Sequence, residues 1–187
     1  SEFLSTSTAT EDELATAQAS ARVYNNLGGG RPVETFPSTV MAGRGYSDMA
    51  WTPQQTLDEI KVYMKSHFGP NLLCDTNGGG IENVGMSRAI NEMLVSSPSA
   101  KYIQLFPFWP TTTAAGFSGL MVKGGFRIAA NFTPGHGVLS PVRLWSMAGA
   151  NATFLNPWPG HSVSISAIDS ENNHRDVPID HWQATRA

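Results

Sequence analysis

Residues 120–131 decide the fold class that the sequence predicts, and they run Leu120-Met121-Val122-Lys123-Gly124-Gly125-Phe126-Arg127-Ile128-Ala129-Ala130-Asn131. A glycine pair separates two short runs rich in apolar residues, 120–123 and 126–131. Such runs, bounded by turn residues, are typical of β-strands. Four similar runs lie nearby, at 102–106, 142–147, 152–155 and 162–168. Six short strands at close spacing predict an antiparallel β-sandwich.

Before residue 100 the apolar residues recur at helical spacing instead. The predicted helices are residues 11–25 behind a Thr10/Glu13 capping box, a helix that follows Thr52 and ends before Gly69-Pro70, and residues 87–95. Residues 31–51 are predicted to be loop. Connections this long are unusual within a helical bundle, so the helices are expected to belong to, or dock on, a larger helical body.

The predicted fold class is therefore α+β, with N-terminal helices followed by an antiparallel β-sandwich. Two domains are expected. Residues 1–100 form a helical segment with long glycine-rich loops, and residues 101–187 form the sandwich domain with a polar tail from 169 onward.

Charge and composition exclude some partners and favour one location. The net charge is −3 without a basic cluster, which argues against nucleic acid. No apolar run approaches the ~18 residues of a membrane span, so none is expected. Charged residues make up 14% of the chain, against about 25% in average proteins, and this is typical of secreted or cell-surface β-rich proteins. Asn131-Phe132-Thr133 and Asn151-Ala152-Thr153 would accept N-glycans there.

Metal and cofactor motifs are absent from the sequence, and neither kind of group is predicted. Cys74 is the only cysteine and is interpreted as a small buried thiol. The five histidines are scattered without the spacing of metal ligands. The glycine triplet 78–80 is not a phosphate loop, because no Lys-Ser/Thr pair follows it.

The densest group of polar residues lies at 74–83 and contains Asp75, Asn77, Glu82 and Asn83. A carboxylate that orients a carboxamide can position a water molecule for attack. Inverting hydrolysis of a glycosidic bond also needs an acid about 6.5–9.5 Å from the base, and no partner acid is evident. In the alternative interpretation these residues cap helix ends and satisfy the backbone of a glycine-rich turn.

Aromatic residues offer a second kind of sugar contact. Trp109 and Trp158 are candidate substrate-binding residues because an indole ring can stack on a sugar ring. Packing in the core or at a domain interface is the alternative for each of them.

Four stretches together carry a resemblance to a known family. They are Asp75-Thr76-Asn77-Gly78-Gly79, Ala89-Ile90-Asn91-Glu92-Met93-Leu94-Val95-Ser96-Ser97, Ile103-Gln104-Leu105-Phe106-Pro107 and Gly119-Leu120-Met121-Val122-Lys123-Gly124-Gly125-Phe126. In this order they resemble the C-terminal part of glycoside hydrolase family 95, and Asn156-Pro157-Trp158-Pro159-Gly160 resembles a later sequence of distant relatives. The resemblance spans roughly residues 52–168.

The resemblance implies the last helices of an (α/α)6 barrel followed by a β-sandwich. It implies inverting hydrolysis of α-L-fucosyl or related bonds, in which a Glu is the acid and an Asn activated by an Asp is the base. Asp75 would be that Asp, with Asn77 beside it. The acid and the base Asn have no counterpart here. Residues 80–88 look like an insertion, which leaves Glu82 and Asn83 as candidate substrate contacts.

Three hypotheses follow for the function. In the first, the chain is a part of a secreted family-95-like hydrolase, inactive alone, with the rest of the barrel or another chain as its partner. In the second, it is a non-catalytic carbohydrate-binding or cell-surface module. In the third, it is a purely structural or interaction protein.

Overall fold

A computed structural model describes residues 10–13, 15–16, 19–20, 52–71, 73–74, 81–97, 102–168 and 174–176. The helices are α1 (Pro53–His67) and α2 (Ile81–Leu94). The strands are β1 (Val95–Ser96), β2 (Gln104–Leu105), β3 (Ala115–Val122), β4 (Phe126–Thr133), β5 (Gly137–Ser146), β6 (Ser166–Ile168) and β7 (His174–Asp176). Helices thus precede antiparallel strands, and the predicted α+β class is confirmed.

The capping box predicted at the start of the chain is present. The Thr10 backbone N–H donates to Glu13 Oε2 at 2.8 Å, and the Glu13 N–H donates to the Thr10 hydroxyl at 3.3 Å. These bonds from Thr10 hold the pKa of the Glu13 carboxyl below its ordinary value. Residues 11–13, 15–16 and 19–20 are helical. Residues 14, 17–18 and 21–25 of this predicted helix, and the predicted loop 31–51, lie outside the described residues.

Helix α1 begins as its sequence predicts. The Thr52 hydroxyl accepts from the Gln55 N–H, the Gln55 side chain accepts from the Thr52 N–H, and Pro53 occupies the first turn. The helix ends at His67, just before the predicted stop at Gly69-Pro70. Lys65 and His67 lie in its last turn, where positive charge is favourable beside the C-terminal carbonyl groups.

Helix α2 begins at Ile81, and the predicted start at residue 87 is wrong. Gly85 lies inside the helix and is buried. Starting at 81 places Met86, Ala89 and Met93 on one buried face, three and four residues apart. Burial of this stripe therefore outweighs the low helix propensity of one glycine.

The two helices and the segment after β2 share one hydrophobic core. Its buried members are Leu57, Ile60, Met86, Ala89, Met93 and Phe108. Strands β1 and β2 pair antiparallel with Val95 opposite Leu105. The Phe106 N–H donates to the Leu94 carbonyl at 2.7 Å. Residues on both sides of position 100 thus pack together, and the domain boundary expected there stays a prediction.

Strands β3, β4 and β5 form an antiparallel sheet with β4 in the centre. Phe126, Ile128 and Ala130 of β4 point to its buried face. The turn between β3 and β4 places Gly124 and Gly125 at φ 93° and 76°, a region that side chains other than glycine rarely adopt.

Strands β3 and β5 begin earlier than predicted, at Ala115 and Gly137 instead of residues 120 and 142. A register shift between Ser118 and Leu120 lets β3 continue past Gly119. Pro141 lies inside β5. Within the described residues, β5 is an edge strand, and an edge tolerates a proline.

The remaining predicted strands are shorter than expected. Residues 152–155 form no full strand, because Phe154 makes a single parallel bridge to Ile103. Strand β6 covers only the end of 162–168 and pairs with β7, which lies in the predicted tail. Other tail residues, 169–173 and 177–187, lie outside the described residues. Ser1–Leu155 and Asn156–Ala187 are two compact units. The barrel remnant and the sandwich stay predictions.

Candidate functional site

A short hairpin brings the chain back to the end of α1 immediately before Asp75. Phe68 and Cys74 form an antiparallel bridge. The Gly69 N–H donates to the Leu73 carbonyl at 2.9 Å, and the Leu73 N–H donates to Asn71 Oδ1 at 3.1 Å. The residue that precedes Asp75 in the chain is therefore bound to the residue that follows α1.

Three side chains of different chemistry lie at this anchor, and we call them the Cys74 cluster: Tyr63, His67 and Cys74. The Cys74 Sγ lies 3.7 Å from the Tyr63 hydroxyl, and the Tyr63 and His67 ring centroids are 4.3 Å apart. Cys74 is 9% exposed, so the predicted buried thiol is confirmed. Sequence analysis did not single out Tyr63 and His67, although their i,i+4 spacing places them on one helix face.

Asp75 and Asn77, the predicted catalytic pair, lie outside the described residues, and their roles stay predictions. Glu82 and Asn83 lie in the first turn of α2 instead of the predicted loop. The placement of their side chains also lies outside the described residues. Because 81–94 is a continuous helix, residues 81–88 are part of the element that carries Ala89 and Ile90, and the apparent insertion does not interrupt it.

Trp109 lies on the surface of the shared core. Its ring is half-buried and packs against the cluster that contains Met93 and Phe108. The indole Nε1–H donates to the Thr113 carbonyl at 2.8 Å. The structural alternative for Trp109 is thus realised, and its predicted contact with substrate stays a prediction.

Sequence analysis missed a polar network that is linked to this tryptophan through Thr113. The Thr112 and Thr113 hydroxyls donate to Gln54 Oε1 at 3.1 and 3.5 Å. Gln54 Nε2 donates to both carboxylate oxygens of Asp58 at 2.9 Å. We call Gln54, Asp58, Trp109, Thr112 and Thr113 the Gln54 cluster. The i,i+4 spacing of Gln54 and Asp58 was visible in the sequence, whereas Thr112 lies 58 residues away.

The Gln54 cluster has the groups that hold a sugar. Gln54 and Asp58 offer amide and carboxylate groups near the surface, and Thr112 adds an exposed hydroxyl. Such groups exchange hydrogen bonds with sugar hydroxyls, while an indole face stacks on the apolar face of the ring. The network among them holds these side chains in place before any ligand arrives.

The Gln54 cluster and the Cys74 cluster both lie along α1. Gln54 and Tyr63 are nine residues apart, which corresponds to about 14 Å along a helix axis. Asp58 and Tyr63 are five residues apart, or about 7.5 Å along the axis.

Trp158 lies in the second compact unit, Asn156–Ala187. Its backbone N–H donates to Asn156 Oδ1 at 2.9 Å, and its backbone carbonyl accepts from the His161 backbone N–H at 3.1 Å. Trp158 is half-buried in a turn that places Gly160 at φ 80°. Its predicted role in substrate binding stays a prediction.

The two predicted glycosylation positions are exposed. Asn131 lies in β4, and Asn151 lies in the segment that follows β5. Their modification stays a prediction. Within the described ranges, no three His, Cys, Asp or Glu side chains come together in a way that could hold a metal ion. Over the same residues, no helix has the length and apolarity needed to cross a membrane.

Comparisons with known proteins do not assign a family. No protein-family model matches the chain, and a search of curated proteins finds no match either.

Replacing Trp109 by alanine is expected to lower the free energy of unfolding by about 2 kcal/mol, because half of a large ring leaves the core surface. Phenylalanine keeps most of the packing but loses the bond to Thr113, so its expected cost is about 1 kcal/mol. Urea unfolding of the three proteins measures both values. Equal stability of the alanine variant and the unchanged protein would contradict a packing role.

Proposed function

We propose that the chain is the C-terminal part of a secreted family-95-like glycoside hydrolase that inverts α-L-fucosyl or related bonds. In this proposal Asp75 orients the catalytic base, and Asn77 lies beside it. The general acid and the base Asn come from the remaining barrel portion or from another chain. The isolated chain therefore binds substrate without hydrolysing it.

The observation that carries this proposal is the joining of two motifs behind the family resemblance. The first motif, 89–97, spans the end of α2 and β1, and the second, 103–107, contains β2. Val95 pairs with Leu105, and Ser96 pairs with Gln104. The two stretches are therefore neighbours in the fold, in the order that the resemblance implies.

The stretch 119–126, which also carries the resemblance, has a definite local role. Residues 119–126 contain the positive φ angles of Gly119, Gly124 and Gly125, and end at the buried Phe126. The glycines of this pattern occupy positions where other residues are strained. The order of helices followed by antiparallel strands agrees with the implied barrel remnant and sandwich, which are part of the proposal.

The anchor before Asp75 supports its catalytic assignment. The hairpin 68–74 and the buried Cys74 fix the point from which residue 75 departs. A base-orienting carboxylate needs such a rigid support, since catalysis depends on its position relative to the reacting bond.

The Gln54 cluster favours the second candidate function, a non-catalytic carbohydrate-binding or cell-surface module. Its Thr113 carbonyl accepts from the Trp109 indole, and its Gln54 and Asp58 lie on the N-terminal half of α1. In this candidate the sugar contacts Trp109, Gln54 and Asp58, and Asp75 has no part in binding.

A binding titration distinguishes the two candidates. An α-L-fucosyl oligosaccharide is titrated calorimetrically into the chain and into its Glu82→Gln and Asp58→Asn variants, with Asp12→Asn as a control of equal charge change. The hydrolase proposal expects Glu82→Gln, which alters a predicted substrate contact, to weaken binding at least about tenfold, since a charge-assisted hydrogen bond is lost. Asp12→Asn should change nothing.

The opposite pattern supports the module. Binding that is weakened by Asp58→Asn and Trp109→Phe, but not by Glu82→Gln, contradicts the hydrolase proposal. A parallel assay with an aryl α-L-fucoside is expected to show no turnover by the chain alone. Turnover would contradict the assignment of the acid to another segment or chain.

A further inference from the structure

The outer face of the β3–β4–β5 sheet combines an aromatic ring with two cations. Met121, Arg127 and Trp145 stand directly opposite one another across the three strands. Arg143 lies two residues before Trp145 and pairs with Ala129, so it shares this face. We call Met121, Arg127, Arg143 and Trp145 the outer-face group.

Exposure and burial identify this face as the one turned away from the core. Phe126 and Ile128 point to the opposite face and are buried, whereas all four members of the outer-face group are exposed. Trp145 is 44% exposed and Met121 is 63% exposed. Directly opposite side chains in an antiparallel sheet lie about 5 Å apart, so the group forms one continuous patch.

The charge of this face is unbalanced. Strands β3, β4 and β5 contain two arginines and not one acidic residue, although the whole chain has a net charge of −3. Neither the Arg127 nor the Arg143 guanidinium has a hydrogen-bond or ion-pair partner among the residues that the structure describes. Two guanidinium groups on one face, without a partner among the described residues, favour an anionic ligand.

Arg127 is directed across the sheet by the residue beside it. Its Nη2 lies 3.0 Å from the position that a Cβ on Gly119 would occupy. The guanidinium therefore lies over the backbone of β3, in the space that the missing side chain leaves. The guanidinium thus extends toward β3, and Trp145 lies on the other side of Arg127, in β5.

We infer that the outer-face group binds an acidic oligosaccharide, one that carries carboxylate groups. The Trp145 ring stacks on a sugar ring, and Arg127 and Arg143 bind the carboxylates of that unit and its neighbour. A saccharide fits better than an acidic peptide, because the exposed Trp145 ring can stack on the apolar C–H face of a sugar ring. This binding goes beyond the proposed hydrolysis and is independent of Asp75.

The test uses an oligogalacturonate of defined length and the same oligosaccharide with every carboxylate methyl-esterified. The full chain, produced without N-glycans, is titrated with both by calorimetry at low and high salt. We expect binding of the acid form, weakening with salt, and at least about tenfold weaker binding of the ester because its carboxylates are neutral.

Variants locate the site. Arg127→Gln/Arg143→Gln and Trp145→Ala are each expected to weaken binding at least about tenfold. Arg175→Gln removes an exposed arginine from β7 and should change the affinity less than about twofold. Circular dichroism and urea unfolding check that every variant is folded as the unchanged chain is.

Several results would overturn the inference. Equal binding of the ester, or unchanged affinity in the double arginine variant, would remove the role of charge. Tighter binding of a polyglutamate peptide, insensitive to Trp145→Ala, would assign the face to an acidic protein partner. A stability loss in the double arginine variant without any saccharide binding would show that the face is occupied by another part of the chain.

Discussion

Replacing Phe106 by alanine is expected to lower the free energy of unfolding by about 3–5 kcal/mol, the usual cost of deleting a buried aromatic ring. Phe106 is 9% exposed, and its ring lies 5.5 Å from that of Phe117 and 5.3 Å from that of Phe132, centroid to centroid. Its N–H donates to the Leu94 carbonyl. Phe106 thus links the end of α2, through its backbone, to the three-stranded sheet, through its ring.

Glycine at the same position provides a sharper test. Phe106 has φ 48°, a left-handed conformation that costs a residue with a Cβ about 1 kcal/mol or more. Phe106→Gly removes the ring and also this strain, so it should be about 1 kcal/mol more stable than Phe106→Ala. Urea unfolding of both variants measures the difference. A glycine variant less stable than the alanine variant would contradict the left-handed backbone.

Replacing Met93 or Ile128 by alanine is expected to lower the free energy of unfolding by about 2–5 kcal/mol each. Met93 belongs to the core between the helices, and Ile128 lies in the centre of the sheet; both are 0% exposed. Val62→Ala is the control, since Val62 is exposed on α1 and an exposed truncation costs within about 0.5 kcal/mol.

The two core variants also test the domain boundary expected near residue 100. The compact unit Ser1–Leu155 contains both cores. If it unfolds cooperatively, either variant shifts one common transition, seen alike by helical circular dichroism and by hydrogen exchange in β4. Separate transitions, with each variant shifting only its own, would support independent domains divided at residue 100.

Local signals in the sequence were sufficient for helix starts and for the central strand. Thr52-Pro53 and the Thr10/Glu13 pair predicted caps that the structure contains. The run 126–131, bounded by Gly124-Gly125, predicted β4, and buried and exposed residues alternate along most of that strand. In each case a few neighbouring residues determine the outcome.

Features that depend on distant residues were predicted poorly. The start of α2 was predicted at residue 87, yet the helix passes through Gly85 because it buries Met86 and Ala89 against α1. β5 extends across Pro141 because an edge strand does not need every N–H. The Gln54 cluster joins residues 58 positions apart, so no local pattern could reveal it.

The candidate site also has parts that the sequence predicted and parts that only the structure reveals. The sequence identified Asp75 and Trp109 as functional candidates by residue type and resemblance. The structure adds what surrounds them: a buried thiol beside a tyrosine before residue 75, and an amide, carboxylate and hydroxyl network next to Trp109. Side chains that support a site contribute through geometry, and residue type alone does not identify them.

The proline within β5 also affects how the chain behaves at high concentration. An edge strand with exposed Leu139 and Leu144 is a template on which a second molecule could add its own strand and begin aggregation. The pairing with β4 passes over residues 140–142, and Pro141 offers no N–H to an incoming strand. Arg143 adds a charge that repels an identical copy. Strand β5 thus carries its own protection against intermolecular sheet growth.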